Sequence, residues 1–355
     1  MKKILLFSHE YPPAIGGAGS VAQNIFNTAK KLNVEIDILS LNWLRSSNLP
    51  RFVKKTILQL WPLAYAPFLR FHANRYDLII CNDGASIYCA GLYLSNNNLK
   101  KVKCIIHGVE PLLQQNNRKA NFINFKAKYS KCLEHCKEIF FVSEFIKGRF
   151  SKDLDTSGIL DKIKVSHNGI DKNLFYPVST QKHKNQIRIV SVSRIVEGKG
   201  YKKSFEAVLY LKKSNPNIDI KWTIVGDGAY LNNLKRQVSE SAINEDVIFL
   251  GQVEQSKLPL IYSNNNIFLL LTELEEAFGL AYLEAANCGC YVIGSDIGGV
   301  PEAFKHITHG KLIDTSATTH EISEAILSAE YLMKHLPTNK CLRSIDDFFH
   351  ETTNE

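Results

Sequence analysis

The chain has 355 residues and a formal net charge of +8; 45% of its residues are hydrophobic and 22% are charged. This length accommodates two domains of ordinary size, and this composition excludes wholesale disorder. The apolar run after the N-terminal lysines stops at Phe7, too early for the core of a signal peptide. An uncharged, apolar stretch between Lys55 and Arg70 contains Pro62 and Pro67 and falls short of the roughly 20 apolar residues of a spanning helix. We therefore expect a cytoplasmic protein that is not integral to a membrane.

Apolar runs of strand length alternate with helical patterns along the chain, which is typical of parallel sheets covered on both faces. One expected helix, Ser20–Leu32, shows apolar residues at helical spacing. The expected strands are Ile4–Ser8, Val34–Leu41, Leu78–Cys81, Val102–Ile106, Ile139–Val142, Lys164–Ser166, Ile187–Val192, Ile220–Val225, Val247–Leu250, Ile267–Leu271 and Tyr291–Gly294. The fold class is therefore α/β, with doubly wound, Rossmann-like parallel sheets.

A polar segment at Tyr176–Gln186 carries Pro177 and precedes a fresh strand, so it is expected to be a hinge. It divides the chain into an N-terminal domain, 1–176, and a C-terminal domain, 177–335, followed by a final segment, 336–355.

The eight cysteines are scattered and form no C-x-x-C pair, so reduced thiols are expected rather than a disulfide scaffold. Cys132 and Cys136 lie one helical turn apart with His135 between them. No second pair of ligands accompanies them, and no metal site is predicted there.

Glycines follow the first expected strand, in the run Gly16-Gly17-Ala18-Gly19 before helix Ser20–Leu32. Glycine lets the backbone approach a ligand closely, and the N–H groups of a helix N-terminus offer a positive partial charge. A tight structural turn explains this run about as well.

Two basic residues, Arg194 and Lys199, follow strand Ile187–Val192. Ligands of open α/β sheets bind outside the carboxyl ends of the strands. On such a loop, the paired N–H donors of an arginine guanidinium and the compact charge of a lysine ammonium are suited to binding a diphosphate. The alternative is a solvated basic turn.

The strongest pattern follows strand Ile267–Leu271, where Glu276 lies on a loop and Gly279 opens a helix. Glu284 comes eight positions after Glu276, which is expected to place it about two turns along that helix. Hydroxyl groups of a sugar and a ribose are natural partners for these carboxylates. A capping carboxylate and a surface glutamate are the plainer alternative.

The pair Glu276-x7-Glu284, with Phe278-Gly279-Leu280 inside it, resembles the signature of the retaining glycosyltransferases of family 4, which have the GT-B fold. Supporting motifs follow the family's order along nearly the whole chain. They are Gly16-Gly17-x-Gly19, Ile106-His107-Gly108, Phe141-Val142-Ser143, His167-Asn168-Gly169-Ile170-Asp171, Ser193-Arg194 with Lys199-Gly200, Val225-Gly226-Asp227-Gly228, Phe249-Leu250-Gly251-x-Val253, Gly289-Cys290 and Gly298-Gly299-Val300-Pro301-Glu302.

The resemblance implies two Rossmann-like domains facing across a cleft, with segment 336–355 returning toward the first. It also implies transfer of a hexose or N-acetylhexosamine from a nucleoside-diphosphate sugar, with retention of configuration, in synthesis of a bacterial-type cell-surface polysaccharide or lipopolysaccharide. No D-x-D motif lies at a strand end, so neither a metal nor another cofactor is expected.

The resemblance further implies a role for each matching residue. Arg194 and Lys199 are expected to hold the diphosphate, Glu276 to bind the transferred sugar and Glu284 to bind the ribose. The backbone near Val253 is expected to contact the base, and the N–H groups of Phe278, Gly279 and Leu280 to approach the sugar and phosphate. From the first domain, Gly16 and Gly17 are expected to close on the donor, and His107 to lie near the reacting carbon of the sugar.

The acceptor is expected to be a glycan or a lipid-linked molecule. Between Arg51 and Arg75 the chain has five basic residues and no acidic one, interleaved with Phe52, Trp61 and other aromatic residues. Such a segment fits peripheral contact with an anionic membrane. Equally, the aromatic residues could pack inside the first domain while the basic ones solvate it. No recognition module accompanies the charge, so nucleic-acid binding is not expected.

Two other functions are compatible with the same fold. One is that of a nucleotide-sugar 2-epimerase, which requires no acceptor. The other is that of an inactive nucleotide-sugar-binding protein, which the joint presence of His107, Arg194, Lys199, Glu276 and Glu284 disfavours.

Overall fold

The computed structural model describes residues 2–12, 17–42, 44, 47–113, 121, 123–178, 186–335 and 338–354. The chain forms two compact units, residues 1–168 with 345–355, and residues 169–344. The chain enters the second unit at Gly169, before the boundary expected at 176/177, and residues 179–185 of the expected hinge lie outside the described residues. No helix within these described ranges is long and apolar enough to cross a bilayer.

The first unit is built on a sheet with the strand order β2-β1-β3-β4-β5-β6, and all its strand pairs are parallel. Its elements are β1 (Ile4–Phe7), α1 (Gly17–Lys31), β2 (Ile36–Leu39), α2 (Arg51–Gln59), α3 (Trp61–His72), β3 (Leu78–Cys81), α4 (Gly84–Tyr93), α5 (Asn96–Leu99), β4 (Val102–Ile106), α6 (Phe125–His135), β5 (Glu138–Phe141), α7 (Glu144–Asp153) and β6 (Ile163–Val165).

The second unit is built on a parallel sheet with the order β12-β11-β10-β7-β8-β9. Its elements are β7 (Ile187–Val192), α8 (Tyr201–Ser214), β8 (Ile220–Val225), α9 (Leu231–Ser239), β9 (Val247–Gly251), α10 (Leu258–Ser263), β10 (Ile267–Leu270), α11 (Leu280–Asn287), β11 (Tyr291–Ser295), α12 (Val300–Phe304), β12 (Gly310–Ile313) and α13 (Thr319–His335). The last helix of the chain, α14 (Ile345–Thr353), belongs to the first unit.

The central strands of the second sheet are buried on both faces, as their apolar sequences predict. Within β10, Ile267 and Leu269 pack in one apolar cluster with Trp222. The alternate residues Phe268 and Leu270 pack in another cluster on the other face. The expectation of an α/β protein with two Rossmann-like, parallel-sheet domains is confirmed.

Helix α14 completes the first unit. Phe348 and Phe349 on this helix are buried. The buried ammonium of Lys103, on β4, donates to the carbonyl oxygen of Asn354 and lies 2.6 Å from a carboxylate oxygen of Glu138. The chain therefore returns to the first unit after the second is complete.

The strand order identifies where ligands bind each sheet. In open α/β sheets, ligands bind at the carboxyl edge where the order of the strands reverses. That point lies between β1 and β3 in the first unit, and between β7 and β10 in the second.

Candidate active site

The loops after β7 and β10 meet through an ion pair at the reversal point of the second sheet. Lys199 lies on the first loop and is only 8% exposed. Its ammonium contacts a carboxylate oxygen of Glu276 on the second loop. An ammonium group has three N–H donors, so one can bind Glu276 while the others bind a phosphate.

The loop after β10 carries three carboxylates, and the structure separates them. Glu273 pairs with Lys203 on α8 at 2.7 Å, and Glu275 is exposed. Glu276 is the one that reaches Lys199. The family motif and the ion pair therefore identify the same carboxylate.

Two glycines hold the backbone of Glu276 in place. The N–H group of Gly299 donates to the carbonyl oxygen of Glu276 at 2.8 Å. A Cβ atom on Gly298 would lie 2.7 Å from that same oxygen, and one on Gly299 would lie 2.1 Å from the carbonyl oxygen of Ala277. Only glycine permits this approach, so the Gly298-Gly299 motif supports the Glu276 loop.

Arg194 lies on the same loop as Lys199 and is exposed. Its guanidinium forms no hydrogen bond or ion pair with any residue that the structure describes. Five N–H donors are therefore available on the loop that carries Lys199, in the planar arrangement that suits phosphate oxygens.

Helix α11 begins directly after this loop. Phe278 is buried, Gly279 is the N-cap with φ +96°, and Leu280 is the first helical residue. The first N–H groups of a helix lack partners within it and favour an anion. The start of α11 therefore adds positive partial charge at the reversal point.

Glu284 lies in α11, closer to its start than the sequence predicts. Residues 276–279 precede the helix, so Glu284 is about one turn inside it rather than two turns from Glu276. The buried Tyr262 donates its hydroxyl to Glu284 at 3.2 Å. Burial raises the pKa of Glu284 to about 7. Val253, two residues after β9, packs against the apolar cluster that contains Tyr262.

In the first unit, His107 follows β4, and its Nε2 lies 3.1 Å from Oδ1 of the buried Asn82. The Asn82 Nδ2 donates to the carbonyl oxygen of Ala18 at 2.9 Å and to Ser8 Oγ at 3.1 Å. A carbonyl oxygen only accepts, so this contact orients the Asn82 amide and leaves Oδ1 facing His107. His107 Nε2 must therefore carry the proton.

Burial also lowers the pKa of His107 to about 4, so its ring is neutral at pH 7. The Nδ1 atom is then the acceptor of the ring. Asn82 orients His107. Its role was not predicted from the sequence, because an asparagine after a strand is typical of a turn. The available signal was its position directly after the buried strand β3, at the reversal point.

The remaining predicted residues divide between the two units. Gly16 lies outside the described residues. Gly17 begins α1, and a Cβ atom there would meet no described atom within 4 Å, so packing does not require this glycine. Lys199, Glu276 and the start of α11 gather with Arg194 at one edge of the second sheet, whereas His107 and Gly17 belong to the first unit.

Two protein-family models match the chain along most of its length. Residues 15–174 match the model of Glycosyltransferase Family 4, and residues 174–335 match that of Glycosyl transferases group 1. The boundary between the two matched regions lies near the start of the second unit, at Gly169.

Curated relatives match part of the chain. A GDP-mannose-dependent alpha-(1-6)-phosphatidylinositol monomannoside mannosyltransferase of Mycolicibacterium smegmatis is 28% identical over 49% of this chain and 48% of its own length. The N-acetyl-alpha-D-glucosaminyl L-malate synthase of Bacillus anthracis is 29% identical over 46% of this chain and 43% of its own. The matched region thus spans about half the length of these relatives.

Solved structures share the fold over the whole chain. The crystal structure of Anabaena HepE in complex with UDP and glucose has a TM-score of 0.69 and 18% identity, covering 99% of this chain and 98% of that one. WaaG, a glycosyltransferase involved in lipopolysaccharide biosynthesis, has a TM-score of 0.63 and 12% identity, covering 99% of this chain and all of that one.

Proposed function

We propose, because the chain belongs to the family 4 glycosyltransferases, that it transfers a sugar from a nucleoside-diphosphate sugar to a hydroxyl group of an acceptor. The observation that carries this proposal is the contact between Lys199 and Glu276 at the reversal point of the second sheet. A cation suited to the diphosphate and a carboxylate suited to sugar hydroxyls are thereby placed side by side.

Negative charge develops on the nucleoside diphosphate as its bond to the sugar breaks. We infer that Lys199, Arg194 and the start of α11 stabilise this charge in place of a metal. Glu276 binds the transferred hexose or N-acetylhexosamine, and Glu284 binds the ribose. UDP in the HepE complex and the GDP-mannose dependence of the mycobacterial relative support a nucleotide-sugar donor.

Donor binding is tested by thermal unfolding with UDP-, GDP- and ADP-sugars. A bound donor raises the apparent stability by about 2.7 kcal/mol at 100 times its Kd. We expect one of these nucleotide classes to raise the Tm of the wild type and of Lys213→Ala, a control at an exposed lysine on α8. The increase should be lost in Lys199→Ala. Wild-type protein that no nucleotide sugar stabilises would contradict the proposal.

The proposed transfer retains the anomeric configuration. The leaving phosphate takes the proton of the acceptor hydroxyl, on the same face of the sugar. NMR of the product distinguishes the two anomers at the new glycosidic bond, and an inverted product rules this route out.

We further propose a lipid-linked acceptor of cell-surface polysaccharide or lipopolysaccharide synthesis, reached at an anionic membrane. Helices α2 and α3 expose Phe52 (72%), Leu63 (59%) and Phe71 (74%) beside the basic residues of the same segment. Apolar side chains with flanking positive charge bind anionic lipid surfaces. We expect the protein to sediment with phosphatidylglycerol vesicles at low salt and less at high salt. Equal sedimentation with neutral vesicles would contradict this.

A further inference from the structure

A second group of polar side chains lies at the reversal point of the first sheet. His9 follows β1, Asp83 follows β3 and Glu110 follows β4. Asp83 Oδ2 accepts the backbone N–H groups of His9 at 2.6 Å and Glu10 at 2.9 Å. Asp83 Oδ1 accepts the N–H of Ser86 at 2.8 Å and so caps α4. Asp83 therefore serves the structure, and it holds the segment after β1 in place.

Helix α3 forms an aromatic wall beside His9. The His9 ring centroid lies 4.9 Å from that of Trp61, and His9 Nδ1 lies 3.0 Å from the hydroxyl of the buried Tyr65. Trp61 also contacts Tyr88 of α4, with ring centroids 5.9 Å apart. Trp61 and His9 are each only partly buried. An indole is thus held in a fixed orientation while part of it remains accessible.

Glu110 reaches the start of α4, one turn before Tyr88. Its Oε1 accepts the N–H of Gly84 at 3.1 Å, and a Cβ atom on Gly84 would lie 2.0 Å from the Glu110 carboxyl carbon. The absence of a side chain at Gly84 therefore makes room for this carboxyl group. Asp83 and its partner Ser86 already cap α4, so the helix does not depend on Glu110.

The surroundings of Glu110 disfavour its charge. Burial, with the nearby carboxylates of Asp83 and Glu10, raises the pKa of Glu110 to about 7. No lysine or arginine in the described ranges forms an ion pair with it. Burying a carboxyl group without a cation is costly, and hydroxyl groups of a ligand are partners that would offset this cost.

We propose that Trp61, His9 and Glu110 form a subsite for a neutral acceptor sugar. The indole packs against the C–H face of a hexopyranose ring, and Glu110 and His9 hydrogen-bond its hydroxyl groups. The subsite excludes a phosphate or carboxylate on that ring, because the carboxylates of Asp83 and Glu10 repel anions. It rests on the proposed transferase function and specifies that the acceptor ends in an uncharged sugar.

Saturation-transfer NMR tests the subsite with three probes: methyl α-glucopyranoside, methyl α-mannopyranoside and methyl N-acetyl-α-glucosaminide. We expect signals from the ring C–H protons of at least one probe with the wild-type protein, and weaker signals from glucose 6-phosphate. Trp61→Leu and Glu110→Ala should each weaken binding roughly tenfold, as expected for one lost contact. Tyr331→Ala and Glu134→Gln, at exposed positions elsewhere, should leave binding unchanged.

Glu110→Gln keeps an acceptor for the Gly84 N–H, so it retains the local fold if Glu110→Ala does not, and it should bind the sugar more weakly than the wild type. Absence of signal from all three probes, or unchanged signals in both Trp61→Leu and the Glu110 variants, would overturn the subsite. Nucleotide-dependent thermal stabilisation measured on the same samples separates the two proposals. Stabilisation without sugar binding refutes the subsite alone, whereas sugar binding without stabilisation refutes the donor assignment alone.

Discussion

The ion pair between Lys199 and Glu276 makes each side chain depend on the other. In the proposed donor complex, loss of Lys199 would remove the ammonium that contacts the Glu276 carboxylate and offsets its repulsion of the donor phosphates. Without the charge of Glu276, Lys199 would remain available to the proposed diphosphate, but the proposed sugar would lose a strong hydrogen-bond acceptor. The two positions therefore differ in what they contribute to binding and to turnover.

We expect Lys199→Ala to lower kcat by about 100- to 1,000-fold, the range for removal of a donor aimed at developing charge. Arg194→Ala should fall in the same range, since we propose that its guanidinium stabilises the same charge. Initial rates of nucleotide release by purified variants measure this, with Lys213→Ala as the control. Near-normal turnover in either variant would refute its assignment to the diphosphate.

Asn82→Ala should reduce kcat by roughly 10- to 100-fold, because a small misplacement of a reacting group carries such a penalty. The expected cause is loss of the fixed orientation and tautomer of His107. Nitrogen-15 NMR of the histidine ring provides the discriminating measurement. We expect a single Nε2–H tautomer in the wild type and a mixture in the variant; an unchanged tautomer would assign Asn82 a structural role only.

Glu284 should make the second unit less stable as the pH rises. Its pKa is about 7 in the folded chain, against an ordinary 4.5. Between these pH values the folded state holds a proton that the unfolded state has released. The contribution of Glu284 to the free energy of unfolding is therefore full below pH 4.5 and is lost as the pH rises through 7. Glu284→Gln should remove this decline, which is on the order of 3 kcal/mol. Urea unfolding of a variant whose sole tryptophan is Trp222 measures it, and an identical decline in Glu284→Gln contradicts it.

The sequence predicts those site residues whose roles can be recognised from neighbouring residues in the chain. Lys199, Glu276 and Glu284 follow buried strands or lie in a recognisable motif, so their positions were predicted before their contacts were known. Asn82 and Glu110 lie in no recognisable motif, although Asn82 directly follows the buried strand β3. Their roles depend on partners brought close by the sheet order, such as Ala18 for Asn82 and Gly84 for Glu110.

At the scale of elements, α3 has two faces with different roles. Trp61 and Tyr65, one turn apart, face His9, whereas Leu63 and Phe71 are exposed. The two interpretations of this segment, membrane contact and packing within the domain, therefore apply to different side chains of the same helix.

Replacing the exposed aromatic residues should weaken membrane binding without unfolding the protein. We expect Phe52→Ser with Phe71→Ser to reduce the fraction bound to phosphatidylglycerol vesicles about tenfold or more, since each buried aromatic side chain contributes roughly 1.5–3 kcal/mol. Tyr331→Ser, at a 63% exposed position on α13, is the control. Equal loss of binding in all variants would exclude a specific role for α2 and α3.

Eleven strands were predicted near their observed bounds, and β12 was missed. Fully buried strands such as β1 and β10 are continuous apolar runs, so the sequence alone predicts them. Strand β12 (Gly310–Ile313) contains a glycine and a lysine and is mostly exposed, because it lies at the edge of its sheet. Its pairing with β11, rather than its composition, makes it a strand.

At the scale of the whole molecule, the first unit is assembled from two separate stretches of chain. Lys103 joins them, through its contacts with Glu138 and Asn354. Its burial lowers its own pKa, while the paired carboxylate retains its charge because Lys103 and Lys164 lower the pKa of Glu138.

Lys103→Ala should destabilise the first unit by about 3–5 kcal/mol, the usual cost of leaving one partner of a buried ion pair alone. Urea unfolding of two variants, one retaining only Trp61 and the other only Trp222, follows each unit separately. We expect the midpoint reported by Trp61 to shift and that reported by Trp222 to remain. Equal shifts would indicate that the two units unfold together.

The discontinuity of the first unit also sets the order in which the molecule can be completed on the ribosome. Strands β1–β6 emerge first, yet the helix that supplies Phe348 and Phe349 to their core is translated after the entire second unit. The second unit is continuous in sequence and can fold as soon as it leaves the exit tunnel. Until α14 is translated, the N-terminal part of the nascent chain exposes apolar surface that this helix later covers. We therefore expect chaperones to bind this part of the chain more than the second unit.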